Sequence, residues 1–149
     1  MYNAIDIAKY IICFANEKEI AITNLRLQKL LYYAQAWYLV NFGEPLFKEK
    51  IEAWQFSPVI PTIYDEFKSF GRNPIEIDSS SCKKIIENED CINYLDEFCE
   101  QFLQYSTTDL VSMTHNEKPW IEAFKNPDNE IKNKCYVRVL FCFINYVKK

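Results

Sequence analysis

The sequence predicts a mainly α-helical, single compact domain with a small β-sheet or hairpin, and three observations predict it. Residues 4–14 and 25–40 are apolar almost all round a helix, so each needs cover on several sides. Residues 88–105 set Cys91, Tyr94, Leu95, Phe98, Cys99 and Phe102 at helical spacing, opposite Glu89, Asp90, Asp96, Glu97 and Glu100. Between these segments lies Trp54-Gln55-Phe56-Ser57-Pro58-Val59-Ile60-Pro61-Thr62-Ile63-Tyr64, where an imperfect alternation gives way to helical spacing. Segments of this kind assemble as five to seven helices around one core, with strand 51–56 beside the second helix.

Taken in order, Asn3 is placed to cap a helix over residues 4–17, with Asp6 near its positive end. Thr23 or Asn24 caps a second helix to about residue 41, which Gly43 closes, with Pro45 beyond. Two glutamines, Gln28 and Gln35, interrupt this most hydrophobic segment and share a face two turns apart. They admit two readings: hydrogen bonds to buried backbone of the neighbouring strand, or a polar stripe offered to a partner. Residues 46–56 read as a hairpin or two short strands turning at Lys48-Glu49-Lys50. Pro58 and Pro61 remove two backbone donors and bias Ser57 and Ile60 toward extended conformations. Pro61 fits the first position of a helix that ends at Gly71. A short strand over residues 75–78, a serine loop at 79–81, the helix from about Asn88, and a short helix capped by Thr107 or Thr108 follow. The pattern then gives a helical turn opened by Pro119, a loop at 126–129 and a last helix to about Val147.

The totals exclude several functions. A chain of 149 residues that is 49% hydrophobic suits one domain, 1–149, with one core. With only Gly43 and Gly71, no glycine-rich phosphate loop exists. The net charge of −4 and the absence of a basic stripe argue against nucleic-acid binding. Six cysteines form no C-x-x-C pair, and His115 is the lone histidine, so neither a zinc site nor a Cys/His catalytic pair has support in spacing. His115 suits a helix C-terminal cap. Cys13, Cys99 and Cys142 sit among apolar neighbours, as free buried thiols do. No signal peptide or membrane-spanning run is visible. The expectation is a reduced cytoplasmic protein with no disulfide, metal, cofactor or catalytic centre.

Three stretches resemble one family. Asn24-Leu-Arg-Leu-Gln-Lys-Leu-Leu-Tyr-Tyr-Ala-Gln-Ala-Trp-Tyr-Leu, then Ile51-Glu-Ala-Trp-Gln-Phe-Ser-Pro-Val-Ile-Pro-Thr-Ile-Tyr, then Thr114-His115 with Pro119-Trp120, resemble the Panacea domain of the SocA-like antitoxins and GepA-type phage-associated proteins. The sequence departs from the family where Ser57 stands in place of a glycine before Pro-Val-x-Pro. The resemblance implies a mainly helical antitoxin that neutralises a cognate protein toxin, encoded by the adjacent gene, through direct binding. Delivery of the toxin to a protease and a Cys/His-dependent enzyme are the alternatives. The candidate partner-binding residues are Gln28, Gln35, Trp54, Phe56, Pro58, Pro61, Tyr64, His115 and Trp120. The turn itself admits two readings: a structural corner, or a preorganised binding surface, since a proline-stiffened, aromatic-lined turn loses little entropy when a partner docks.

Overall fold

A computed structural model of the chain describes residues 1–55, 58–115 and 130. The expected helical turn at Pro119, the loop at 126–129 and the last helix lie outside the described residues, as do Phe56, Trp120, Cys135 and Cys142.

Five α-helices and one two-stranded sheet are described. Helix α1 is Ala4–Glu17 and α2 is Asn24–Phe42. Strands β1 (Glu52–Ala53) and β2 (Pro58–Val59) pair antiparallel, with Glu52 opposite Val59 and Ala53 opposite Pro58. Helices α3 (Pro61–Phe67), α4 (Glu89–Phe102) and α5 (Thr107–His115) follow. The fold is mainly α, as the periodicity predicts.

Helix α2 is the central element and touches α1, α3, α4, α5 and β2. That position explains its composition: residues 27–36 are all buried. Its boundaries are local chemistry. The Thr23 side chain accepts from the Arg26 N–H, and Gly43 takes the left-handed conformation that ends the helix, at φ 74°. Pro61 opens α3, and a 3-10 turn over Lys68–Phe70 carries the chain to Gly71 at φ 59°. Asn88 caps α4 by accepting from the Cys91 N–H. Phenol groups then fasten the helices. Tyr10 donates to Asp96 across α1 and α4, and Tyr94 donates to the Ala34 carbonyl across α4 and α2. Arg26 donates to the carbonyls of Leu103 and Tyr105, placing a cation on the negative end of α4.

The structure corrects five expectations. Asn3 makes no side-chain cap; Glu49 accepts the Ala4 N–H instead, at 2.9 Å. That contact holds residues 48–50 against α1, so they do not form the hairpin turn. The chain reverses after Ala53, and Pro58 enters the second strand. Residues 75–78 form no strand: one isolated bridge, Thr23 to Pro74, and the Ile75 N–H to Ile22 carbonyl bond are the pairing found there. Helix α5 is capped by Ser106 rather than Thr107 or Thr108, through a reciprocal pair in which Asp109 N–H donates to Ser106 Oγ and Ser106 N–H to Asp109 Oδ2. Finally, Cys13 and Cys82 form a disulfide, with Cα atoms 5.8 Å apart. The fold lays the C-terminal half of α1 against the 3-10 turn Ser79–Cys82, a proximity that a separation of 69 residues conceals. Cys91 and Cys99 are buried free thiols.

Candidate functional site

The proline-bracketed stretch is held by α2 through a chain of amides. The Ile60 N–H donates to Gln28 Oε1 at 2.8 Å. Gln28 Nε2 donates to Asn24 Oδ1 at 2.9 Å, and Asn24 Nδ2 donates to the Tyr64 carbonyl at 3.2 Å. One side-chain network therefore grips both the residue that precedes α3 and the end of its first turn. One heptad further along α2, Gln35 performs the same task on the preceding segment. Its Oε1 accepts from the Leu46 and Phe47 N–H groups, at 2.8 and 3.1 Å, and its Nε2 donates to the Phe47 carbonyl at 2.9 Å. Both glutamines are buried. Of the two readings of these residues, the geometry is the buried backbone-bonding one, because the segment they meet supplies donors and acceptors that no ladder satisfies.

With this backing the stretch presents a small aromatic face. Tyr64 is 39% exposed, one of four large hydrophobic side chains to reach solvent among the described residues. Trp54 is half-buried and meets Tyr64 edge to face, with ring centroids 5.2 Å apart and planes at 65°. The Trp54 indole N–H is anchored on Glu52 Oε1 at 3.0 Å. Pro61 is half-buried beside them, while Pro58, Val59 and Ile60 turn inward. Among the candidate residues the structure thus brings Trp54, Pro61 and Tyr64 together at the surface, with Gln28 behind them. Gln35 stands apart under residues 46–47. His115 is the last described residue of α5; its side chain, Phe56 and Trp120 lie outside the description.

Among the described residues no group of three His, Cys, Asp or Glu side chains is placed to hold a metal ion. Burial raises both free thiols, with neighbouring acidic charges adding to the rise at Cys99, which disfavours their thiolate forms. No described helix is long and apolar enough to cross a membrane.

A second buried group lay beyond sequence reasoning. Lys29 is fully buried on α2, and among the described residues its ammonium has no hydrogen-bond partner. Burial pushes its pKa down from 10.5 to about 7. A lysine within a long apolar run is the signal that could have flagged it.

The described residues thus form a helical scaffold that holds the entry to α3 and offers aromatic side chains at the surface. The comparisons specify the family. Residues 27–121 match the model described as "Antitoxin SocA-like, Panacea domain", and the chain belongs to that family. It is 34% identical over 123 residues to Antitoxin SocA of Caulobacter vibrioides (strain NA1000 / CB15N), an alignment that covers 76% of this chain and 65% of that relative. The chain therefore matches somewhat under two thirds of the length of that curated relative. No solved structure matches with significance.

Proposed function

We propose that this chain is an antitoxin that neutralises a protein toxin by binding it directly, acting as one domain in the cytoplasm and without catalysis of its own. The family supports the antitoxin role. The observation that carries direct binding is Tyr64, a solvent-reaching ring braced on Trp54 above the Gln28–Asn24 clamp. Its backbone is fixed before a partner arrives, so docking orders little. A ring with a hydroxyl tip is the kind of side chain that dominates interface energies. Trp54 and Pro61 complete the surface. Gln28 acts from behind by positioning Ile60, and Gln35 by fixing the neighbouring segment. Phe56, Pro58, His115 and Trp120 belong to the same proposal through the family resemblance. The toxin is taken to be the product of the adjacent gene.

Coexpression with that product, followed by co-purification, tests the proposal. Tyr64→Ala should weaken binding by about 2 kcal/mol, the scale of an interface hot spot. Because Tyr64 is partly exposed, thermal stability should change little. A folded Tyr64→Ala protein with undiminished binding removes the residue from the interface. Failure of the unaltered chain to co-purify removes the partner.

A further inference from the structure

We propose that a groove at the opposite end of α2 receives a cationic side chain, arginine or lysine, of the partner protein. This rests on the toxin-binding reading above and adds a second, chemically distinct contact to it.

The groove encloses about 510 Å³ where the start of α1, the end of α2 and the start of α4 converge. Tyr2, Tyr38, Phe42, Glu44, Asn88 and Asp90 line it. Two of its lining rings, Tyr38 and Phe42, belong to an aromatic cluster with Tyr94. Tyr38 and Phe42 lie 4.5 Å apart and tilted, and both meet Tyr94 edge to face, at 5.1 and 5.9 Å. Phe42 is 52% exposed and Met1, also at the groove, is 76% exposed. Two of the four exposed large hydrophobic side chains among the described residues therefore meet at one concave place. The lining combines aromatic rings with polar and acidic groups, the mixture that orients a bound side chain.

Charge selects the occupant. Glu44 and Asp90 are exposed at the rim, and the ion pair found among the described residues, Lys68 with Asp65, involves neither. Both carboxylates act on the groove itself: after burial and Cys91, their charges help to raise the Tyr38 phenol. The α2 helix ends at Phe42, so its unpaired carbonyls add negative potential at the same mouth. The start of α4 opposes this with its positive end. Asn88 already caps that end and Glu89 and Asp90 both occupy its first turn, which leaves the local balance negative. The Met1 ammonium opposes this as well, since Met1 lines the groove and its charge acts on Cys91, but among the described residues here the carboxylates outnumber it. An apolar occupant would strip water from two carboxylates without replacing it, and an anion would be repelled. A guanidinium or ammonium instead lies over the Phe42 and Tyr38 faces while its donors reach Glu44 and Asp90. A second copy of this chain, at net charge −4, is a poorer electrostatic match than a basic partner.

The test titrates isotope-labelled protein with the peptide acetyl-Gly-Arg-Gly-amide and with its citrulline analogue, which keeps the shape and removes the charge. The arginine peptide should shift the ring resonances of Tyr38, Phe42 and Tyr94 saturably. The citrulline peptide, Phe42→Ala and the Glu44→Gln/Asp90→Asn double variant should each weaken that response by about tenfold, as loss of a cation–π contact or its charged rim implies. All three substitutions lie at exposed positions, and circular dichroism checks the fold of each variant. Equal binding of the two peptides, shifts that map elsewhere, or an unchanged response in the double variant overturns the proposal. So does a concentration-dependent dimer whose formation shifts these same rings, which would assign the groove to self-association. Co-purification separates this proposal from the one it rests on. If the unaltered chain fails to capture the neighbouring gene product, the toxin-binding reading falls while the titration result stands. If the toxin is captured equally by Phe42→Ala, the groove falls alone.

Discussion

Two faces of α2 bury polar side chains on opposite terms. On one face Gln35 satisfies three backbone groups and Gln28 satisfies one while linking to Asn24. On another, about 100° round the helix from Gln28, Lys29 buries an ammonium that finds no acceptor among the described residues. The amides lose water and regain it as protein hydrogen bonds, so they fix the segments they touch. The amine loses water and, in the described structure, regains nothing, so its neutral form is favoured instead. Burial of a polar group is therefore a positioning device only where its partners are supplied.

The comparison is tested most severely at Gln35. Gln35→Leu keeps the volume but leaves the Leu46 and Phe47 N–H groups and the Phe47 carbonyl without a partner. At 1–3 kcal/mol for each orphaned group, stability should fall by about 5 kcal/mol in urea denaturation. A loss below about 1 kcal/mol would mean that water replaces the amide there and that the glutamine face is ordinary polar surface.

A covalent tie offers the competing explanation for how these segments are held. Breaking Cys13–Cys82 with Cys13→Ser should cost about 4 kcal/mol by the chain-entropy argument for a loop of this length. The same melt run with and without reductant should reproduce the difference in the unaltered protein and show none in the variant. If Cys13→Ser costs more than Gln35→Leu, the disulfide and not the amide network is the principal fastening of the fold.

Gln28→Leu comes next, at about 2–3 kcal/mol, since one buried N–H, that of Ile60, is orphaned and Asn24 loses its partner. Its sharper readout is local. Amide exchange at Ile60 and in the first turn of α3 should accelerate more than in α4. Uniform acceleration would show that Gln28 supports the fold generally and does not position the turn.

What the sequence disclosed divides along the same line. Thr23, Gly43 and Asn88 mark helix ends through bonds made within a few residues, Pro61 marks one by its missing N–H, and each stands where the pattern puts it. Trp54, Pro61 and Tyr64 lie within eleven residues of sequence, whereas Gln35, although the spacing puts it on the face of Gln28, serves a different segment. Features that join distant parts of the chain left no trace. Glu49 at the start of α1, Arg26 on the end of α4, and the Cys13–Cys82 bond each depend on a partner at least 45 residues away. Phe42 lies just past the apolar run of residues 25–40. Its position beside the helix-ending Gly43, where α2 runs out of cover, is what turns it to solvent.

The smallest effect belongs to Lys29, and its sign carries the information. In the unfolded chain this lysine titrates near 10.5; in the fold it titrates near 7. Between those values the unfolded chain binds one more proton than the folded one, so stability rises with pH. From pH 7 to pH 9 that contribution amounts to about 2 kcal/mol. Partly buried tyrosines and a buried thiol work the other way. Burial raises Tyr94, Tyr10 and Cys99, so the unfolded chain ionises first and stability falls as alkali increases. The lysine term is therefore isolated by difference, in urea melts of the unaltered protein and Lys29→Met at pH 7, 8 and 9. Methionine removes the titration and keeps an unbranched apolar chain. Lys29→Met should be the more stable protein at pH 7, and its advantage should shrink by about 2 kcal/mol by pH 9. An acceptor supplied by residues beyond those described would reverse the outcome. The variant would then be less stable at every pH, because it would leave a buried acceptor without its cation. That result would place Lys29 with the glutamines and erase the contrast between the two faces.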